Sequence, residues 1–179
     1  MPDAGVDRQE AGPPDGSAGG EEARRIVILG PGKIGCGHLS ALFAEAGWQI
    51  VLAARDATTV QRIRAAGDFE VRIIGGAVQV IAADAVLIGS DDFVRAVAGA
   101  ALVATAVGAR NVASLGEPLA RALAARDPGA PIDVWCVENG DAAPGLETTI
   151  GEAADREGLV LPPLGVAGAI AWRAVTEGD

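Results

Sequence analysis

Aromatic side chains are scarce: the sequence has no tyrosine, three phenylalanines and three tryptophans. Ala, Val, Leu and Ile must therefore fill any core, which favours a layered α/β or helical core over an aromatic-rich β-sandwich. There are only two cysteines, Cys36 and Cys136, a hundred residues apart. That spacing makes neither a disulfide framework nor a metal motif. No basic stripe is present, and the formal net charge is −10. An acidic body repels phosphate backbones, so no nucleic-acid partner is expected. The N-terminus lacks a basic and then apolar leader, and no apolar run reaches the length of a membrane span. The expectation is a soluble cytoplasmic chain without a membrane partner.

What is present is a chain of 179 residues, half of them hydrophobic, which suits one domain with a tail. Residues 1–22 hold five Gly, three Pro, one β-branched residue and six of the acids. Such a segment cannot bury enough surface to offset its ordering entropy, so it reads as a disordered acidic tail. Residues 23–179 read as the folded domain.

From Arg24 the pattern changes. Arg25–Leu29 (RIVIL) is a short apolar, β-branched run, as in a strand covered on both faces. A helix is expected to about Ala46, with Leu39, Leu42, Phe43 and Ala46 on its apolar face and Gly47 as its stop. Gln49–Ala53 reads as a strand and Ala57–Ala66 as a helix. Glu70–Ile74 and Val78–Ile81 flank Gly75-Gly76 like a hairpin, and Val86–Ile88 suggests a further short strand. Then come a helix over Asp92–Ala98, a strand over Ala101–Ala106, a helix over Val112–Arg126, a strand over Ile132–Val137 and a helix over Leu146–Glu157. A last apolar segment runs over Gly165–Val175. Strands alternating with helices imply an α/β fold, a doubly wound and mostly parallel sheet of the Rossmann type.

Gly30-Pro31-Gly32-Lys33-Ile34-Gly35 follows the first strand directly and opens the first helix. That context is what a dinucleotide fingerprint requires. Gly30 permits the tight turn, Gly32 lets the backbone approach a diphosphate, and Gly35 lets helix and strand pack closely. Free main-chain N–H groups and the helix dipole attract the phosphates. The alternative is a purely structural strand–helix turn. At the end of the second strand, where an acid would grip the ribose hydroxyls, the sequence is Ala53-Ala54-Arg55-Asp56. With Ala54 in the acid's place and Arg55 able to pair with a 2′-phosphate, the reading favours NADP over NAD. The bland alternative leaves Arg55 solvated and Asp56 capping the second helix.

The segments IVILGPGKIGCGHLSALFAEAGWQIV, LVATAVGARNV and IDVWCVEN, in this order, resemble the nucleotide-binding half of mannitol-1-phosphate 5-dehydrogenase, a long-chain polyol dehydrogenase. The resemblance runs from about Arg25 to Val175. It implies hydride transfer between a nicotinamide cofactor and a sugar phosphate or polyol. It also implies that Thr105-Ala106-Val107-Gly108 and the pair Glu138-Asn139 line the nicotinamide side of the crevice. The other reading of Thr105 and Asn139 is that they only tie off strand ends.

Three departures from the family pattern stand out. Cys36 and His38 occupy positions where relatives commonly carry an arginine and an aromatic residue. His38 is expected to pack and not to act, and Cys36 to be a small packed residue despite its place at a helix N-terminus. The strand-two acid is missing. The family's helical domain, with its substrate site and catalytic lysine, has no counterpart here, and the single lysine, Lys33, sits inside the glycine turn. Three functions follow: a polyol-phosphate oxidoreductase completed by a second chain, a non-catalytic dinucleotide-binding module, or an interaction domain with a structural glycine turn. Without a covering domain, the surface around Trp172 and Val175 suggests a partner chain or self-association.

Overall fold

The computed structural model describes residues 24–72, 77–138 and 141–171. The expected tail, the Gly75-Gly76 turn, Asn139, Trp172 and Val175 lie outside the described residues.

Seven strands form one sheet in the order β3-β4-β2-β1-β5-β6-β7. They are β1 (Arg25–Leu29), β2 (Gln49–Ala54), β3 (Asp68–Arg72), β4 (Val78–Leu87), β5 (Leu102–Thr105), β6 (Ile132–Val137) and β7 (Leu164–Ala169). All neighbours pair parallel except β3, which runs antiparallel along the edge of β4. Removing that edge strand leaves the doubly wound order in which the chain starts centrally, winds outward one way and then the other. The expected Rossmann-type α/β fold is the observed one.

The helices are α1 (Ser40–Glu45), α2 (Ala57–Ala66), α3 (Asp91–Ala98), α4 (Ala109–Val112), α5 (Gly116–Ala124) and α6 (Ala143–Glu157). Strand alternation splits the core. Val27 and Leu29 of β1 face Phe93, Leu119, Leu123 and Leu146 on α3, α5 and α6. Ile26 and Ile28 face Leu39, Phe43 and Val60 beside α1 and α2. Burying each such large side chain contributes roughly 2 kcal/mol, and this sheet is buried on both faces at its centre.

Four local expectations differ from the structure. Helix α1 is preceded by a π-helical turn, Gly35–Leu39, which rotates the following residues. Leu39 and Phe43 are buried, Ser40 takes a core position with its hydroxyl on the Gly35 carbonyl at 2.8 Å, and Leu42 faces outward. The two short strands expected over residues 78–88 are one strand. Its first half pairs with β3 and its second half with β2, so its burial pattern changes midway. The long helix expected from Val112 is broken into α4, a 3-10 turn Ala113–Leu115, and α5. Pro118 lacks a main-chain donor and is tolerated only in the first turn of a new helix. Gly116 lies where a Cβ would come within 2.7 Å of Thr149 on α6, so the break is also a close helix crossing. Helix α6 starts before Leu146, at Ala143, with Pro144 in its first turn.

Candidate functional site

The carboxyl ends of β1, β2, β4 and β5 meet at one edge of the sheet. Gly30 N–H donates to the Ala53 carbonyl at 3.0 Å, Ala106 N–H to Leu29 at 2.7 Å, and Ile88 N–H to Ala54 at 2.8 Å. These bonds align the strand tips, and a cleft of about 340 Å³ opens beyond them. Its walls include Gly30, Gly32, Ala54, Arg55, Arg62 and Val107. Open α/β sheets bind ligands at this switch point.

The glycines divide their work. Gly30 has φ +102° and lies against the main chain of Ala106, and Gly35 lies against the Gly30 carbonyl, so neither has room for a Cβ. They let the turn fold tightly on itself. Gly32 has nothing within 4 Å of where a Cβ would stand, and it borders the cleft. Among the described residues, no acceptor is found for the N–H groups of Gly32, Lys33 and Ile34; the first helical bond here is Cys36 N–H to Gly32 O at 2.8 Å. These unspent donors and the space at Gly32 fit a diphosphate. The side chains of Lys33 and Ile34 lie elsewhere: Lys33 is exposed, and Ile34 packs against the core on the α1 and α2 side of the sheet.

On the opposite side, Glu138 is buried just beyond β6. Its two carboxylate oxygens accept the N–H groups of Val107 and Gly108 at 2.8 and 2.9 Å. The Val107 carbonyl accepts from Asn111 Nδ2 at 2.7 Å. Ala106 and Val107 line the cleft, while Gly108, with φ +85°, turns the chain into α4. Thr105 is fully buried in register with Cys136 and does not line the cleft.

At the tip of β2, Ala54 is buried and carries no acid. Asp56 caps α2, accepting the Thr59 N–H at 2.7 Å, and that bond holds its carboxyl below the usual carboxylate range. Arg55 lines the cleft, but its Nη2 donates across it to Ser114 Oγ at 2.5 Å and to the Asn111 carbonyl at 3.1 Å. Arg62, Thr59 and Asn111 line the same cleft and were not singled out by sequence pattern. Burial pushes the Cys36 thiol up to about 11, so it is a neutral thiol, and burial also raises Cys136. His38 is half-buried in the π-helical turn.

A larger recess of about 680 Å³ is lined by the start of β2, by Ala82, Ala83, Asp84 and Val86 of β4 and by residues of α2 and α3. Its polar walls are largely spent on each other: Arg64 pairs with Asp84 at 3.3 Å and with Asp92 at 3.2 Å. Its lining shares no residue with the cleft beside the glycine turn.

A family profile described as the mannitol dehydrogenase Rossmann domain matches residues 24–154. The chain belongs to this family. As a member it is a dinucleotide-binding dehydrogenase domain, and the match spans the glycine turn, the β5 turn and Glu138. Solved structures agree on the fold. Octopine dehydrogenase, in complex with NADH and agmatine, aligns with a TM-score of 0.52 at 19% identity, covering 74% of this chain and 33% of that one. Glycerol-3-phosphate dehydrogenase from Coxiella burnetii gives 0.50 at 16%, covering 72% and 38%. The TrkA-N domain of the Escherichia coli inner membrane protein ybaL gives 0.50 at 14%, covering 83% and 88%. The chain thus spans about a third of the two dehydrogenases it matches. Among the described residues no helix is long and apolar enough to cross a membrane.

Proposed function

We propose that this mannitol dehydrogenase family domain binds NADP(H), in preference to NAD(H), for hydride transfer to or from a polyol or sugar phosphate. The observation that carries the reading is the glycine turn, with open space at Gly32 and three unspent N–H donors at the strand tips. The absence of a carboxylate at Ala54 and the presence of Arg55 and Arg62 in the cleft support the phosphorylated form. The bound nicotinamide supplies or accepts the hydride. The chain's own part is to seat the diphosphate on the glycine turn and to hold the β5 turn in place through Glu138.

One observation favours a second reading, a dinucleotide-binding module that does not turn over substrate alone. The polar side chains lining the cleft, Arg55, Asp56, Thr59, Arg62 and Asn111, sit around the β2 tip and the far wall, and the Glu138 carboxylate is spent on main-chain N–H groups. A dehydrogenase also needs a group to move the alcohol proton. We therefore propose a partner, a second chain with a substrate domain or another copy of this one. The exposed Leu42 and the partly exposed Trp135 beside Phe43 are consistent with such a contact.

Calorimetric titration with NADPH and NADH tests the first reading, followed by a fructose 6-phosphate reduction assay. Binding with turnover supports the complete enzyme, and binding without turnover supports the module. Binding of neither nucleotide overturns both readings.

A further inference from the structure

The two arginines of the cleft stand in different states. Arg55 Nη2 is tied to the far wall at Ser114 Oγ and the Asn111 carbonyl, at 2.5 and 3.1 Å. Ser114 Oγ also donates to that carbonyl at 2.6 Å, so the three groups share one knot. The far wall is fastened from behind: Asn111 Nδ2 bonds the Val107 carbonyl at 2.7 Å, and Glu138 holds Val107 N–H at 2.8 Å. A continuous run of hydrogen bonds therefore crosses from the tip of β2 to the end of β6. To grip a ligand phosphate with Nη2, Arg55 has to surrender both contacts.

Arg62 is differently placed. It lies in the second turn of α2, is exposed, borders the same cleft, and makes no hydrogen bond or ion pair among the described residues. Its charge is felt both at Cys36, behind the glycine turn, and at Asp56, at the tip of β2. It thus shares one cleft with the glycine turn and with the end of β2, where the ribose lies. The nearest acid, Asp56, already spends a carboxylate oxygen on Thr59 N–H at 2.7 Å. An unspent guanidinium over a ribose seat whose lining acid, Asp56, is engaged in capping α2 recognises a phosphomonoester.

We propose that Arg62 is the residue that selects the 2′-phosphorylated dinucleotide, and that Arg55 is a positioning strut holding the cleft walls apart for either form. This rests on the dinucleotide reading given above and goes beyond it by assigning different tasks to two like residues.

The test titrates the full chain with NADPH and with NADH, using the wild type and the Arg62→Gln, Arg62→Lys, Arg55→Gln and Arg55→Lys variants. Arg62→Gln weakens NADPH about tenfold and NADH less than about twofold, and Arg62→Lys recovers much of the loss because the charge remains. The NADPH advantage shrinks with added salt, since the contact is exposed. Arg55→Gln weakens both nucleotides by a similar factor, and Arg55→Lys, still able to reach Ser114, restores part of each. Circular dichroism checks that the variants are folded. The proposal is overturned if Arg62→Gln moves both nucleotides alike or neither, if Arg55→Gln costs NADPH alone, or if the wild type binds NADH and not NADPH. In the first two cases the NADP(H) reading itself stands, and in the third dinucleotide binding stands but its NADP(H) preference falls. If the wild type binds neither nucleotide, that reading falls and takes the proposal with it.

Discussion

The turns after β1 and after β5 begin alike and end differently. Each follows a buried parallel strand and each contains a left-handed glycine, Gly30 at φ +102° and Gly108 at φ +85°. In the first, the N–H groups of Gly32, Lys33 and Ile34 have no acceptor among the described residues. In the second, the N–H groups of Val107 and Gly108 are taken by Glu138. The same main-chain chemistry thus makes a seat in one place and a fixed wall in the other. The acid decides which, because a carboxylate at the second turn satisfies its donors and repels any phosphate that approaches it. On the proposed reading, a diphosphate is thereby directed to the first turn.

The largest way to break this contrast is to empty the second turn. Glu138→Ala leaves two donors without acceptors and is expected to cost about 3 kcal/mol, with Glu138→Gln, which keeps one acceptor, losing about half of that. Urea unfolding reads the result, and an alanine variant within about 0.5 kcal/mol of wild type would show that the clamp does not support the wall. The converse substitution fills the first turn with charge. Gly32→Asp is expected to weaken nucleotide binding about a hundredfold by placing a carboxylate in the diphosphate's space. Because that space is open, stability should change by less than about 1 kcal/mol. Loss of fold in place of loss of binding would mean that Gly32 has a structural task. A smaller effect is expected beside the first turn. Asp56→Ala removes the N-cap of α2 and lowers the midpoint of thermal unfolding. It should improve NADPH binding slightly, since the acid neighbours Arg62, and a loss of NADPH affinity would argue against that geometry.

How much of this is legible in the sequence depends on whether a feature is local. The bounds of β1, β6 and α2 can be read to the residue, because apolar runs end at glycine, proline or a capping acid within a few positions. The glycine turn is legible for the same reason. What tertiary contacts decide is not. The break before α5 depends on Gly116 meeting Thr149, thirty-three residues on. The continuity of β4 depends on its change of partner from β3 to β2, and the buried face of α1 depends on a π-helical turn that spacing alone does not reveal. In the site, Glu138 is picked out by the family resemblance, but its attachment to a turn thirty-one residues earlier is visible only in three dimensions. Arg62 gives no pattern signal beyond lying seven residues after Arg55, and that spacing has meaning only once α2 is docked against the cleft.

The subtlest test of the contrast concerns where the unspent donors point. A cysteine just behind a helix N-terminus is a place where a thiolate can be stabilised, and Cys36 stands there. If the free N–H groups of the first turn served that sulfur, its pKa would be lowered. Instead burial raises the thiol from 9.0 to about 11, with the Arg62 charge only partly opposing it. The free N–H groups thus do not offset the burial of the sulfur, which stays a neutral thiol. The folded chain holds its proton to higher pH than the unfolded chain does. This stabilising contribution is thus fully present below pH 9.0 and is lost as pH rises from there towards about 11. With solvent screening at a partly exposed site, the loss amounts to about 1 kcal/mol. Chemical unfolding across that range should show the decline in the wild type and a flatter profile in Cys36→Ala. Iodoacetamide should modify Cys36 slowly at neutral pH, and rapid modification would indicate a thiolate and place the turn's donors on the sulfur.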